Sequence, residues 1–124
     1  KKYRGLLMEI EKLFGNKTAA RCLLFLARYE EGTAGEIAKA FDLDRPVVFL
    51  QLRKLEDASI VVSRKMANIR LYSLNLRSGV HAELKALLEK YIELNMPMER
   101  YKKFYLIRRR PRRSGKTLKG VYEE

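Results

Sequence analysis

The side chains of this 124-residue chain that could act on another molecule are mostly cationic, with 27 Lys and Arg against 15 Asp and Glu and a formal charge of +12. Three groups stand out by their spacing: Arg45, Arg53 and Lys54 with Gln51 among them; Arg64, Lys65 and Arg70; and Arg108, Arg109, Arg110, Arg112 and Arg113. Guanidinium forks and ammonium groups hold phosphate oxygens. Arg or Gln at a base edge makes paired hydrogen bonds worth about 1–3 kcal/mol of discrimination. The chemistry on offer is therefore the holding and reading of a polyanion. Charge alone does not choose among DNA, RNA and an anionic membrane.

Bond-breaking chemistry finds little to work with, and no catalytic activity is expected. His81 is the single histidine and Cys22 the single cysteine, far apart in sequence. Cys22 falls on an apolar helix face and reads as core, and His81 in the first turn of a helix reads as a solvated or capping side chain. Neither a metal site nor a cofactor is expected. The paired carboxylates, Glu9 with Glu11, Glu30 with Glu31 and Glu56 with Asp57, fall on faces expected to be solvated. One cysteine forms no intramolecular disulfide, and no apolar run reaches the roughly 18 residues that would span a bilayer.

Several elements must position the basic groups. Leu6, Leu7, Ile10, Leu13 and Phe14 recur at spacings of three and four, which predicts a helix over 3–14, closed by Gly15 and Asn16. A second helix is expected from 17 or 18 to about 29, with Cys22, Leu23, Phe25 and Leu26 on its apolar side, broken by Glu30, Glu31 and Gly32. Thr33 with Glu36 forms a capping box ahead of a short helix over 34–41. Asp42, Leu43 and Asp44 make a turn, with Asp44 as the next N-cap and Pro46 in the first turn of a helix that reaches about 58. Val48, Leu52 and Leu55 fall on its core side, which leaves Arg45, Val47, Phe49, Gln51 and Arg53 on or near the outside.

Branched and aromatic residues over 60–65 and 69–75 predict two strands, joined by Met66, Ala67 and Asn68, with Asn68 suited to a left-handed turn. Arg64, Lys65 and Arg70 flank that tip and are read as one basic finger. Ser78 and Gly79 open a helix to about 95, stopped by Pro97, and a short last helix is expected through Met98, Tyr101, Phe104 and Tyr105. Residues 1–107 make one domain, with a helix pair over 33–58, a hairpin over 60–75 and a possible dimerisation helix over 79–95. Residues 108–124 read as a basic, flexible tail, either an arm that tracks DNA or a charged end that maintains solubility.

The run TAGEIAKAFDLDRPVVFLQLRKLEDASIVVSRKMANIRLYSLN, residues 33–75, resembles the DNA-binding core of bacterial and archaeal winged-helix regulators, nearest to the ArsR-like group. The resemblance implies a mainly α (α+β) fold, a winged helix-turn-helix with flanking N- and C-terminal helices and a two-stranded β-wing. It also implies a cytoplasmic, nucleoid-associated homodimer that binds double-stranded DNA and regulates transcription, with no membrane contact. Helix 45–58 would enter the major groove, with Arg45, Gln51, Arg53 and Lys54 as its candidate contacts, and Arg64, Lys65 and Arg70 would hold the backbone. The dimer would form through Leu6, Leu7 and Ile10, through helix 79–95 or through both; the other reading is that these two helices pack on each other within one protomer.

Two departures from that family stand out. Phe49 and Leu50 occupy positions that usually hold small or polar residues; they fill a wide core, contact a neighbouring helix or face a protein partner. The paired cysteines or His and carboxylate sets of metal-sensing members have no counterpart. Two other readings stay open: an adaptor that binds protein through Val47, Phe49 and Leu50, and an RNA-binding domain that uses the tail and wing.

Overall fold

The computed structural model describes residues 9–95 together with 103 and 104. Among them the chain order is α1 (Ile10–Phe14), α2 (Lys17–Tyr29), β1 (Glu31–Gly32), α3 (Ala34–Phe41), α4 (Arg45–Asp57), β2 (Val61–Met66), β3 (Ile69–Leu74) and α5 (His81–Leu94). Leu6 and Leu7 of the expected first helix, the expected helix residues Met98, Tyr101 and Tyr105, and the tail with Arg108, Arg109, Arg110, Arg112 and Arg113 lie outside the described residues.

Local chemistry sets the boundaries. Gly15 takes the left-handed conformation, φ 72°, that closes α1. Asn16, expected to end that helix, instead caps the next one, its Oδ1 accepting from the Ala19 amide at 2.9 Å. Thr33 and Glu36 form the expected capping box, with bonds of 2.9 and 3.1 Å. Asp44 stands at the N-cap of α4, but its side chain makes no capping bond.

Glu30 to Gly32 do more than break a helix. Glu30 adopts φ 74°, which turns the chain out of α2 and directly into β1. Glu31 pairs with Ser73 and Gly32 with Tyr72, so the hairpin gains a third strand and the antiparallel sheet runs β1-β3-β2. Gly32 is required there: a Cβ at this position would lie 2.5 Å from the Phe25 ring. At the hairpin tip the left-handed residue is Ala67, φ 55°, rather than Asn68.

The core is built around α2. Every residue from Ala20 to Ala27 is buried, because α2 packs against α1, α3, α4, α5, β1 and β3. The single apolar side expected for it is thus too narrow. Phe104 is wholly buried, stacked on Phe41 at 5.0 Å and edge-on to Tyr29 at 5.6 Å between ring centroids. The Tyr29 hydroxyl donates to the Phe104 carbonyl. Glu11, expected in solvent, is paired with Arg21 at 3.0 Å, both side chains 10% exposed. Two charges leave water together only when each satisfies the other, so this ion pair pins α1 to α2. Leu88, Tyr91 and Ile92 fix α5 against the same core. Among the described residues no helix is long and apolar enough to cross a membrane.

Candidate nucleic-acid interface

α3 and α4 form a helix-turn-helix around Asp42, whose φ of 57° reverses the chain. Val48 and Leu52 of α4 are wholly buried and Leu55 packs partly against the same core. At 3.6 residues per turn those positions aim one stripe inward and turn Pro46, Val47, Leu50, Arg53 and Lys54 outward. All five are exposed.

Phe49 and Leu50 do not fill a wide core. They are 43% and 51% exposed, and Val47 is 43% exposed. The inner side of α4 is already occupied by Val48, Leu52 and Leu55, and the helical step carries positions 49 and 50 away from it. Gln51 sits on the flank nearest α2, half-buried, with its Oε1 accepting from Asn16 Nδ2 at 3.0 Å.

The hairpin register divides the basic finger between two faces. Lys65 opposes Arg70 and Ser63 opposes Tyr72, on the face that carries Val61, Tyr72 and Leu74 into the core. Arg64 opposes Leu71 on the other face. There its guanidinium holds Glu31 of β1 at 3.1 Å and contacts the Met66 sulfur at 2.9 Å. Arg70 donates to Ser63 Oγ at 3.0 Å, and Ser63 donates to Glu56 at 2.7 Å, a chain that ties the wing to α4. Lys65 and Arg70 stand directly across the strands, a like-charge pairing that disfavours the free protein. Among the described residues neither has a carboxylate partner.

Between α4 and the wing lies a groove of about 550 Å³ whose lining includes Thr33, Arg45, Phe49, Asn68, Arg70 and Tyr72. The Arg45 guanidinium reaches back across α3 and lies over Gly35, where a Cβ would come within 3.3 Å of it. Burial, with the Glu56 carboxylate adding to it, raises the Tyr72 phenol above its ordinary pKa; Arg70 and Arg53 pull the other way. Ser63 and Tyr72 are not legible as site residues in the sequence, since only the strand register brings them to α4 and its Glu56.

Elsewhere, Cys22 is wholly buried in α2. Burial pushes its thiol up to about 12, so it stays protonated and poor as a metal ligand or nucleophile at neutral pH. Among the described residues no group of three His, Cys, Asp or Glu is placed to hold a metal ion.

No protein-family model matches the sequence, and no curated protein matches it. Solved structures do. Reduced HlyU from Vibrio cholerae superposes with a TM-score of 0.56 at 24% identity, over 70% of this chain and 85% of that one. A double mutant of Lactococcus lactis ZitR gives 0.52 at 21% identity, over 64% of this chain. The match spans about half of the ZitR chain, 53%, and ZitR is described as a zinc-responsive MarR family member. The adhesin competence repressor AdcR from Streptococcus pyogenes gives 0.52 at 12% identity, over 77% of this chain and 64% of that one. At such identities the likeness is one of fold: helices with a small three-stranded antiparallel sheet, a winged helix.

Proposed function

We propose that this chain is a DNA-binding transcriptional regulator, with α4 in the major groove and the β2–β3 wing on the sugar-phosphate backbone. One observation carries this reading: the exposed face of α4, with Arg53 and Lys54, adjoins a groove that Arg45 shares with Arg70 of the wing. A duplex phosphate run would relieve the repulsion between Lys65 and Arg70. Arg64, held by Glu31, contributes less, and Gln51 reads a base only by giving up Asn16. The tail arginines 108–110, 112 and 113 add salt-dependent affinity. The ArsR-like placement rests on the 33–75 run, whereas the family named among the structural neighbours is MarR. Such a function is exercised in the cytoplasm.

A homodimer fits the reading and places two recognition helices about 34 Å apart. Ile10, expected at the two-fold interface, is wholly buried within the protomer and so is not available to it. Val80 and Leu94, 59% and 44% exposed, support α5 as a dimerisation element. Sedimentation of wild type and Leu94→Glu tests that; a monomeric wild type rejects it.

The primary test is titration against random-sequence duplex DNA over a range of salt. Wild type should bind with a steep negative salt slope. Lys65→Ala and Arg70→Ala should each flatten that slope by about 1, the effect of leaving one phosphate without its cation, and Arg64→Ala by less. An undiminished slope in both variants overturns the wing assignment. Absence of duplex binding overturns the function and favours the adaptor reading, for which the uncovered Val47, Phe49 and Leu50 are the supporting observation.

A further inference from the structure

Apart from its basic flank, the outward face of α4 is nearly devoid of groups that could hydrogen-bond a base. Between Pro46 and Arg53 its crest is formed by Val47 and Leu50, three residues apart and therefore neighbours on one ridge, while Phe49, equally exposed, stands on the flank that lines the groove. Val48 and Leu52, wholly buried behind them, fix the rotation of the helix. Turning α4 to present other residues would bring those two into water.

Gln51, the only side-chain amide on α4, is diverted. Bidentate recognition of adenine uses both the oxygen and the nitrogen of the amide. Here the oxygen is engaged by Asn16 Nδ2 at 3.0 Å, on the flank rather than the crest of the helix.

We propose that Val47 and Leu50 discriminate DNA sequences by contact with the C5 methyl groups of pyrimidines, the apolar feature that thymine presents in the major groove; this rests on the DNA-binding reading above. Charge complementarity selects this occupant over an apolar protein surface. Arg53 and Lys54 follow the ridge on the same exposed face, and Lys65 and Arg70 stand on the wing beside it. An apolar crest bordered by cations suits a groove whose floor carries methyl groups and whose walls carry phosphates. Side chains three residues apart on a helix lie roughly 5–6 Å apart. Base pairs rise about 3.4 Å per step, so the two crests meet methyls within two steps of each other.

The test replaces thymine by uracil, which deletes the methyl and keeps charge and pairing. Sites enriched from a random duplex pool by the full chain are rebuilt with uracil and titrated at matched salt. Wild type should bind the uracil duplex about fourfold more weakly for each methyl contacted, the effect of one buried methylene-sized group. The salt slope should not change. In Val47→Ala/Leu50→Ala the thymine-to-uracil ratio should fall to near one, and because both residues are exposed the variant keeps its fold, checked by thermal melting. A ratio of one in wild type overturns the methyl reading while steep, salt-dependent binding upholds the DNA reading. A ratio that survives in the double variant assigns the preference to duplex shape and likewise overturns the methyl reading. Failure to bind either duplex removes both.

Discussion

α2 and α4 are each thirteen residues long and each apolar in much of their sequence, yet nine residues of α2 are buried and only two of α4. The difference lies in their neighbours. α2 is enclosed by helices and strands on all sides, whereas α4 meets α2, α3 and β2 along one stripe only. An apolar side chain is buried when another element covers it, and the described elements leave about half of the surface of Val47, Phe49 and Leu50 uncovered. One helix supplies cohesion. The other spends its inward stripe on docking and keeps its outer face available for a ligand.

The strongest test of this contrast is truncation in the α2 core. Phe25 lies 4.9 Å from the Tyr29 ring and 6.3 Å from that of Phe104, centroid to centroid. Phe25→Ala should cost about 3–5 kcal/mol in a denaturant titration, the sum of the forfeited transfer energy and the cavity left behind. A cost under about 1 kcal/mol would mean that α2 is not the centre of the core. Next comes Gly32→Ala. The new methyl would meet the Phe25 ring, which is pinned by its aromatic neighbours, so overpacking of about 1–3 kcal/mol is expected. Double-mutant analysis with Phe25→Leu should recover part of that loss.

These residues also mark what the sequence could show. The capping box at Thr33 and Glu36, the turn before Pro46 and the two wing strands were legible because their signals are local: a side chain bonds a backbone a few residues away, or alternation runs over six residues. β1 was not, since a two-residue strand has no period and forms only because β3 lies beside it. The burial of Glu11 with Arg21 was hidden for a similar reason. A carboxylate near a helix start reads as solvated until the partner from the next helix is known. At the candidate site, the identities of Arg45, Arg53 and the wing cations could be read directly. Their separation onto faces could not, because it depends on the register that sets Lys65 opposite Arg70 and Arg64 opposite Leu71. Phe49 and Leu50 were ambiguous for the reason α2 and α4 differ: composition does not reveal how many neighbours a helix has.

Thiol chemistry sharpens the contrast further. Cys22 in α2 should react with a disulfide reagent only as fast as the protein unfolds, whereas the single thiol of a Cys22→Ala/Leu50→Cys variant should react at once. Comparable rates would contradict the burial of α2. Burial pushes the Cys22 thiol from 9.0 up to about 12. Above pH 9 the unfolded chain therefore sheds this proton while the folded chain keeps it. The unfolded state then binds fewer protons, and stability is lost as pH rises from about 9 towards 12, by up to roughly 1.4 kcal/mol per unit. Cys22→Ala should lack that component of the slope, whatever its cost at neutral pH.

The smallest expected effect is the most telling for α4. Leu50 is 51% exposed, so truncation removes little buried surface and opens no cavity. Ala is also the better helix former. Leu50→Ala should therefore change unfolding free energy by no more than about 0.5 kcal/mol, far below Phe25→Ala. A larger loss would mean that another surface, such as a second copy of the chain, covers Leu50 in solution, and the cost would then depend on protein concentration. If stability is unchanged while duplex binding weakens, the side chain is retained for contact with a ligand and not for the fold. That combination is the expected one, because nothing in the packing of α4 requires a leucine at position 50.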